Sequence, residues 1–180
     1  MRSDEYGGAV PPFTLRPART PDVPAMLELM EPLVEERILL GKERVTLYES
    51  IQEFIVALDE AGRLIGFGAL HVFWADLGEV RTLATTREWR GRGVGHALLE
   101  ALEDRARRIG LSRLFCLTFE VEFFMRHGFH AVLDPAERIV DPGTVAELLR
   151  SPDEGVAEFL ELTRVKQNTL GNTRMLKRFE

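Results

Sequence analysis

Apolar and polar positions alternate at two different periods along this chain, and the changes of period mark its elements. Residues 13–16 alternate and read as a first strand. Thr20-Pro21-Asp22 then predicts a helix start, with Thr20 as cap, Pro21 in the first turn and Asp22 at the positive end of the dipole. Met26, Leu29, Met30 and Leu33 extend that helix as an apolar stripe. Residues 34–50 read as a second helix or a loop. Residues 54–58 and 64–73 read as strands, and Asp59-Glu60-Ala61-Gly62-Arg63 between them as a hairpin turn. Residues 80–85 form the next strand. The helix after it carries Val94, Ala97, Leu98, Ala101, Leu102 and Ile109 on one side, and Gly110 is placed to end it in a left-handed cap. A strand over 113–118, a short helix over 120–127 and a strand over 128–133 follow. Helices over 144–150 and 154–162 come next, and residues 172–179 are placed to close the sheet. No repeat or low-complexity linker interrupts the series, whose order is that of an α/β protein with a mixed sheet.

One stretch adds chemistry. Arg90-Gly91-Arg92-Gly93-Val94-Gly95 lies between the extended run 79–86 and the helix that ends near Ile109. A strand, a glycine-rich turn and a helix N-terminus make a cradle for pyrophosphate, because turn amides converge on one anion and the helix dipole adds partial positive charge. Glycine lets phosphate oxygens approach the backbone, and Arg90 and Arg92 can add charge-assisted bonds. A Walker loop needs Gly-Lys-Ser/Thr, which is absent from the sequence. The dinucleotide fingerprint needs Gly-x-Gly-x-x-Gly, and Gly91, Gly93 and Gly95 have the wrong last spacing. The bland alternative is a polar surface turn; the strand before and the helix after favour the cradle.

Composition narrows the partners. The chain has 180 residues, which suits one domain, and it is 45% hydrophobic, enough for a sizeable core. Its net charge of −6 argues against general nucleic-acid binding, and the basic residues within 81–113 suit a small anionic ligand better. No run is apolar enough to span a bilayer, and residues 1–12, polar and proline-ended without the apolar stretch of a secretory signal, read as a flexible arm. The single cysteine, Cys116, fits a reducing, cytoplasmic setting and reads as a core thiol. His127 and His130 lack a metal-ligand spacing, so no metal is expected; His71 reads as structural.

Arg90, Gly93 and Gly95 fill the three fixed positions of Arg/Gln-x-x-Gly-x-Gly/Ala. The loop therefore resembles that of the GCN5-related N-acetyltransferases (GNAT), which binds the pyrophosphate of acetyl-CoA. The resemblance implies a GNAT fold over residues 13–180: a mixed central sheet with flanking helices, in which the parallel strands 80–85 and 113–118 splay apart around the pantetheine arm. A narrower resemblance covers residue 26 to the C-terminus. Glu31-Pro32-Leu33, Ile38-Leu39-Leu40, Gly78-Glu79-Val80, the segment Leu111 to Thr118, Phe123-Phe124 and Arg126-His127-Gly128-Phe129 are similar to the acetyltransferase domain of bacterial N-acetylglutamate synthases. The long form of that family has an N-terminal kinase-like domain that binds arginine; this chain has no room for it and resembles the single-domain form. Residues 154–175 are longer than the long form leads one to expect.

The resemblance also implies roles. Glu79 matches the family's general base, and a solvated strand-end glutamate is the bland alternative. A backbone N–H near Leu83 or Thr85 polarises the thioester carbonyl. Thr118 matches a serine position and orients a water or the leaving sulfur, the alternative being a β-former that ends a strand. Many relatives protonate the thiolate with a tyrosine on the following helix; the two tyrosines here are Tyr6 and Tyr48, and Phe123 and Phe124 cannot donate a proton. Acetyl-CoA, the expected co-substrate, is assigned Leu83, Ala84, Thr85, Arg90, Gly91, Arg92, Gly93, Val94, Gly95, His96 and Phe124. The acceptor is assigned Leu40, Lys42, Arg44, Arg81, Asn172, Thr173 and Arg174. Three functions remain: an amino-acid N-acetyltransferase making N-acetylglutamate; an acetyltransferase acting on glutamine, another small amine or a protein N-terminus; and a non-catalytic acyl-CoA sensor. The partner is a small molecule rather than nucleic acid or membrane, and the resemblance is compatible with a homodimer.

Overall fold

A computed structural model describes residues 12–39, 41–133, 138–160 and 171–180. The arm assigned to 1–12, except its last residue, and Leu40 lie outside the described residues. Seven strands form one sheet in the order β1-β2-β3-β4-β5-β7-β6. They are β1 (Phe13–Pro17), β2 (Phe54–Asp59), β3 (Leu64–Val72), β4 (Leu77–Thr85), β5 (Arg113–Thr118), β6 (His130–Ala131) and β7 (Thr173–Arg178). The pair β4–β5 is parallel and the others are antiparallel. The helices are α1 (Val23–Glu35), α2 (Arg44–Glu49), α3 (Val94–Arg108), α4 (Val121–Arg126), α5 (Pro142–Leu148) and α6 (Glu154–Phe159).

Alternation along the strands gives the sheet two apolar faces, each covered by helices. Ile55, Ala57, Ile65 and Val80 pack with Val94, Leu98, Leu99 and Leu102 of α3. Phe54, Val56, Phe67 and Ala69 face Met26, Met30 and Leu33 of α1 and Leu47 of α2. A third cluster joins Leu77, Phe115 and Leu176 of the sheet to Leu148, Val156 and Phe159 of α5 and α6. In it the rings of Phe73, Phe115 and Phe159 lie 4.8–5.0 Å apart, which seats α6 against the middle of the sheet.

Four details depart from the sequence reading. Thr20 does not cap: residues 20–22 form a 3-10 turn, and Asp22 instead accepts the Arg19 N–H at 2.7 Å while both its oxygens hold Arg16. The strand expected over 128–133 shrinks to His130–Ala131, because the N–H groups of His127, Gly128 and Phe129 bond back to α4. The last strand does not close the sheet at its edge but inserts between β5 and β6. And β4 carries a bulge: Phe67 pairs with Ala84 but Ala69 with Arg81, so β4 has one extra residue opposite Gly68, with Thr82 at φ +52°. The extra residue reverses the alternation. Val80 faces α3 and Ala84 faces α1, although an unbroken strand would put them on one side. The helix-ending glycine behaves as read: Gly110 has φ +90°, and the Leu111 N–H reaches back to Ala106.

Candidate active site

The parallel pairing of β4 with β5 stops at Glu79↔Phe115. Beyond it the strands diverge, and the gap opens into a cleft of about 420 Å³, within the range of small-molecule sites. Val80, Thr82, Leu83, Ala84 and Thr85 line one side; Cys116, Leu117 and Thr118 line the other. The polarity is sparse. The Thr118 hydroxyl oxygen accepts the Glu120 N–H at 2.9 Å, so its own proton is left to point elsewhere. Burial, with the charge of Glu79 second, pushes the Cys116 thiol well above its usual range, which disfavours the thiolate.

At one end the cleft meets the glycine loop. Gly91 and Gly93 have φ of +74° and +82°, and Gly93 is the residue from which α3 departs. Their glycines serve the backbone conformation, since a Cβ at either would meet nothing within 4 Å. The loop curls the backbone around the α3 N-terminus and leaves open space there. That shape, with Arg90, Gly91, Gly93, Gly95 and His96 lining it, suits an extended ligand carrying a pyrophosphate. His96 stacks on His127 with ring centroids 4.8 Å apart and a 2.6 Å Nδ1···Nε2 contact. Burial first, then His96, lowers the His127 pKa.

At the other end a pocket of about 70 Å³ shares Ile38, Leu39, Val80, Thr82, Leu117 and Phe119 with the cleft. The chain reaches over it because Arg37, at φ +60°, ends α1, and the Ile38 N–H bonds back to Leu33. Lys42, Glu79, Arg81, Gly155, Glu158 and Asn172 supply its polar wall. Glu79 and Arg81 are 4% and 8% exposed, on the same face of β4 as Leu77. The Arg81 Nε–H donates to Glu79 Oε2 at 2.5 Å, and its two terminal nitrogens donate to Asp153 at 2.6 and 3.0 Å. The two carboxylates outweigh the effect of burial and raise the guanidinium pKa further. Burial alone would raise the Asp153 carboxyl, but Arg81 holds it down at about 2. Lys42 is lowered by burial and then by Arg81, with Glu79 partly opposing. The Asn172 side-chain amide donates to Glu158 at 2.9 Å.

Comparison with known proteins gives this chain a family. Residues 24–129 match the Acetyltransferase (GNAT) family. The chain belongs to that family. It is an N-acetyltransferase with acetyl-CoA as its acyl donor. It is 50% identical over 164 residues to an amino-acid acetyltransferase of Mycobacterium tuberculosis, covering 90% of this chain and 92% of that one. The solved structure of Rv2747 from Mycobacterium tuberculosis, in complex with CoA and NLQ, superposes with a TM-score of 0.86 at 48% identity, covering 93% of this chain and 99% of that one. N-acetylglutamate synthase from Neisseria gonorrhoeae, complexed with coenzyme A and N-acetyl-glutamate, gives a TM-score of 0.72 at 29% identity; 93% of this chain matches 35% of that one, so this chain spans about a third of it.

Within this GNAT fold the sequence-assigned residues separate. Leu83, Ala84, Thr85, Arg90, Gly91, Gly93, Gly95, His96, Phe124 and Thr118 all line the large cleft. Val94 is fully buried in the core beneath the loop, so only its backbone can face an anion. Arg92 is exposed and lies 5.5 Å over the Trp89 ring. Lys42, Glu79, Arg81 and Asn172 meet at the small pocket. Arg44, exposed at the start of α2, lines neither space. Thr173 pairs with Thr118 across β5–β7, and Arg174 donates to the Phe159 carbonyl and lies 5.0 Å over that ring; neither lines the small pocket. The sequence reading missed Asp153, Gly155 and Glu158. The one local signal was an Asp placed to cap α6; nothing local pointed to its partner 72 residues away. Among the described residues no group of three or more His, Cys, Asp or Glu is placed to hold a metal, and no helix is long and apolar enough to cross a membrane.

Proposed function

We propose that the chain transfers acetyl from acetyl-CoA to the α-amine of L-glutamate, the first step of arginine biosynthesis, in the cytoplasm, with residues 13–180 as the acetyltransferase domain. The observation that carries this reading is the small pocket. It opens onto the cleft beside the splay and holds a carboxylate, Glu79, and a cation, Lys42, on one wall. An amino acid has the matching groups, an amine that must lose a proton next to a carboxylate that must be held.

The residues divide the work. Glu79 takes the proton from the entering ammonium, directly or through a water; its Oε1 accepts no hydrogen bond from a described residue, while Oε2 is engaged by Arg81. Beyond Glu79 β4 has no pairing with β5, so on that side an N–H near Leu83 or Thr85 is available to polarise the thioester carbonyl. The amine then bonds to the carbonyl carbon and the C–S bond breaks. Thr118, with its hydroxyl oxygen occupied by Glu120, can donate to the departing sulfur or to a water beside it. Lys42 and Asn172 hold the acceptor's polar ends.

Charge favours one alternative acceptor. Arg81 is committed to Glu79 and Asp153, and Glu158 adds a further anion, so among the described residues of the pocket wall Lys42 is the cation left for substrate. One cation suits one carboxylate, and glutamine carries one where glutamate carries two. A thiol-release assay with acetyl-CoA against the twenty amino acids decides. The proposal expects the highest kcat/KM for glutamate. A preference for glutamine would move the function to the second acceptor. A carboxylate-free amine that outperforms every amino acid would overturn both, and tight acetyl-CoA binding without turnover would leave an acyl-CoA sensor.

A further inference from the structure

We propose that Asp153 is a positioning residue for proton removal, acting through the buried guanidinium of Arg81 on Glu79; this rests on the role of Glu79 proposed above. Arg81 lies between two carboxylates, with Nε on Glu79 and both terminal nitrogens on Asp153. Replacing a whole buried ion triad by apolar side chains is often neutral for stability, because desolvating the charges offsets their attraction. Two of the three charges here, Glu79 and Arg81, line the pocket where the amine is to be deprotonated, and Asp153 holds Arg81 from outside that lining.

The geometry around Asp153 is built for that contact. Its Oδ1 accepts the Val156 N–H at 3.0 Å and caps α6, so the carboxylate is fixed to the helix as well as to Arg81. Two residues on, Gly155 leaves the guanidinium room to lie against the first turn: a Cβ there would sit 2.5 Å from Nη2 and 2.7 Å from Cζ. Helix α6 is itself seated by Phe159 on Phe73 and Phe115. Asp153 therefore carries a fixed position from the core to Arg81, and Arg81 carries it to one oxygen of Glu79. Asp153 also takes a share of the positive charge. Without it the Arg81 charge falls on Glu79 alone, and a carboxylate fully neutralised by a guanidinium attracts an ammonium less and accepts its proton less readily.

Asparagine caps a helix about as well as aspartate, so Asp153→Asn keeps the cap while removing the charge and one acceptor. The test is a cycle of Asp153→Asn, Glu79→Gln and the double variant, with kcat for glutamate, or for whichever amino acid the assay above selects, and acetyl-CoA affinity by titration. Asp153→Asn alone should lower kcat by about 10- to 100-fold, less than the loss of a base, with acetyl-CoA affinity within about twofold of the parent. In the Glu79→Gln background the same change should have no further effect, because the residue it acts through is gone. If the two losses multiply, Asp153 is a structural cap and the proposal fails while the base assignment stands. If Glu79→Gln alone keeps parental turnover, the base assignment falls and this inference with it. Should Asp153→Asn not fold, Gly155→Ala enters the same cycle, since it displaces Arg81 without changing any charge.

Discussion

The two ends of the cleft are built in opposite ways. The end that suits pyrophosphate is local: residues 90–96 lie in one turn and the first turn of one helix, and their contribution is mainly backbone shape. The end proposed for the acceptor is assembled from four distant segments, Lys42 before α2, Glu79 and Arg81 on β4, Gly155 and Glu158 on α6 and Asn172 before β7, and its walls carry side-chain charge. A backbone cradle is generic and recurs with any acyl-CoA. A charged pocket drawn from remote segments can change its acceptor by changing one side chain and leave the cofactor end intact. Substitutions at the two ends should therefore have separable effects.

Proton removal gives the largest expected effect. Glu79→Gln keeps the shape of the side chain but not its basicity, so turnover should fall roughly 10²- to 10⁴-fold. Steady-state kinetics should also show the acidic limb of the pH–rate profile altered, with acetyl-CoA affinity intact. Weaker acetyl-CoA binding in this variant would break the separation of the two ends.

Lys42→Ala comes next. A charge-assisted bond to a substrate carboxylate is worth about 1.5–3 kcal/mol, which corresponds to roughly a 10- to 150-fold rise in the acceptor KM with less change in kcat. Because burial and Arg81 lower the Lys42 pKa, the parent's acceptor KM should begin to climb with pH before the ordinary lysine range is reached. Arg44→Ala and Arg174→Ala, at residues that do not line the pocket, should leave that KM nearly unchanged. A smaller effect belongs to Arg90→Ala, since Arg90 is exposed. Titration should show acetyl-CoA affinity reduced by about 3- to 10-fold, and more so at low salt.

Acid stability should show the smallest difference. The Asp153 carboxyl is held at about 2 against an ordinary 3.8. A depressed folded-state pKa gives stability that is present above the unfolded value and lost as pH falls through the folded one. The parent should lose this contribution between about pH 4 and pH 2, and Asp153→Asn should lack that part of the slope. Thermal melts across this range check it.

The same contrast explains what could be read in the sequence. Gly91 and Gly93 between a strand and a helix were legible because each acts locally, taking a positive φ in its own backbone. Helix α3, with its apolar stripe and Gly110, was legible for the same reason. The bulge at Thr82 was not, since a one-residue slip appears only once β3 is laid beside β4. Nor was the insertion of β7 between β5 and β6, since strand order is set by pairing between segments far apart in the chain. Resemblance pointed to Lys42, Glu79 and Asn172, and nearness to Glu79 pointed to Arg81; the four line one pocket. Arg44 and Arg174 show the limit of that route: a cation near the right place in sequence can point to solvent or to a backbone carbonyl. Asp153 carried no sign of its partner, because the Arg81 contact spans 72 residues.

The division between a local cofactor end and a remote acceptor end is tested most directly by one titration of acetyl-CoA, run in parallel on Gly93→Val and Lys42→Ala. Valine at Gly93 must adopt φ near +82°, which β-branched residues resist, so the loop should be reshaped. Acetyl-CoA binding should be lost in Gly93→Val, provided that a thermal melt shows it folded, and should match the parent in Lys42→Ala. Parental affinity in folded Gly93→Val, or lost affinity in Lys42→Ala, would contradict the account.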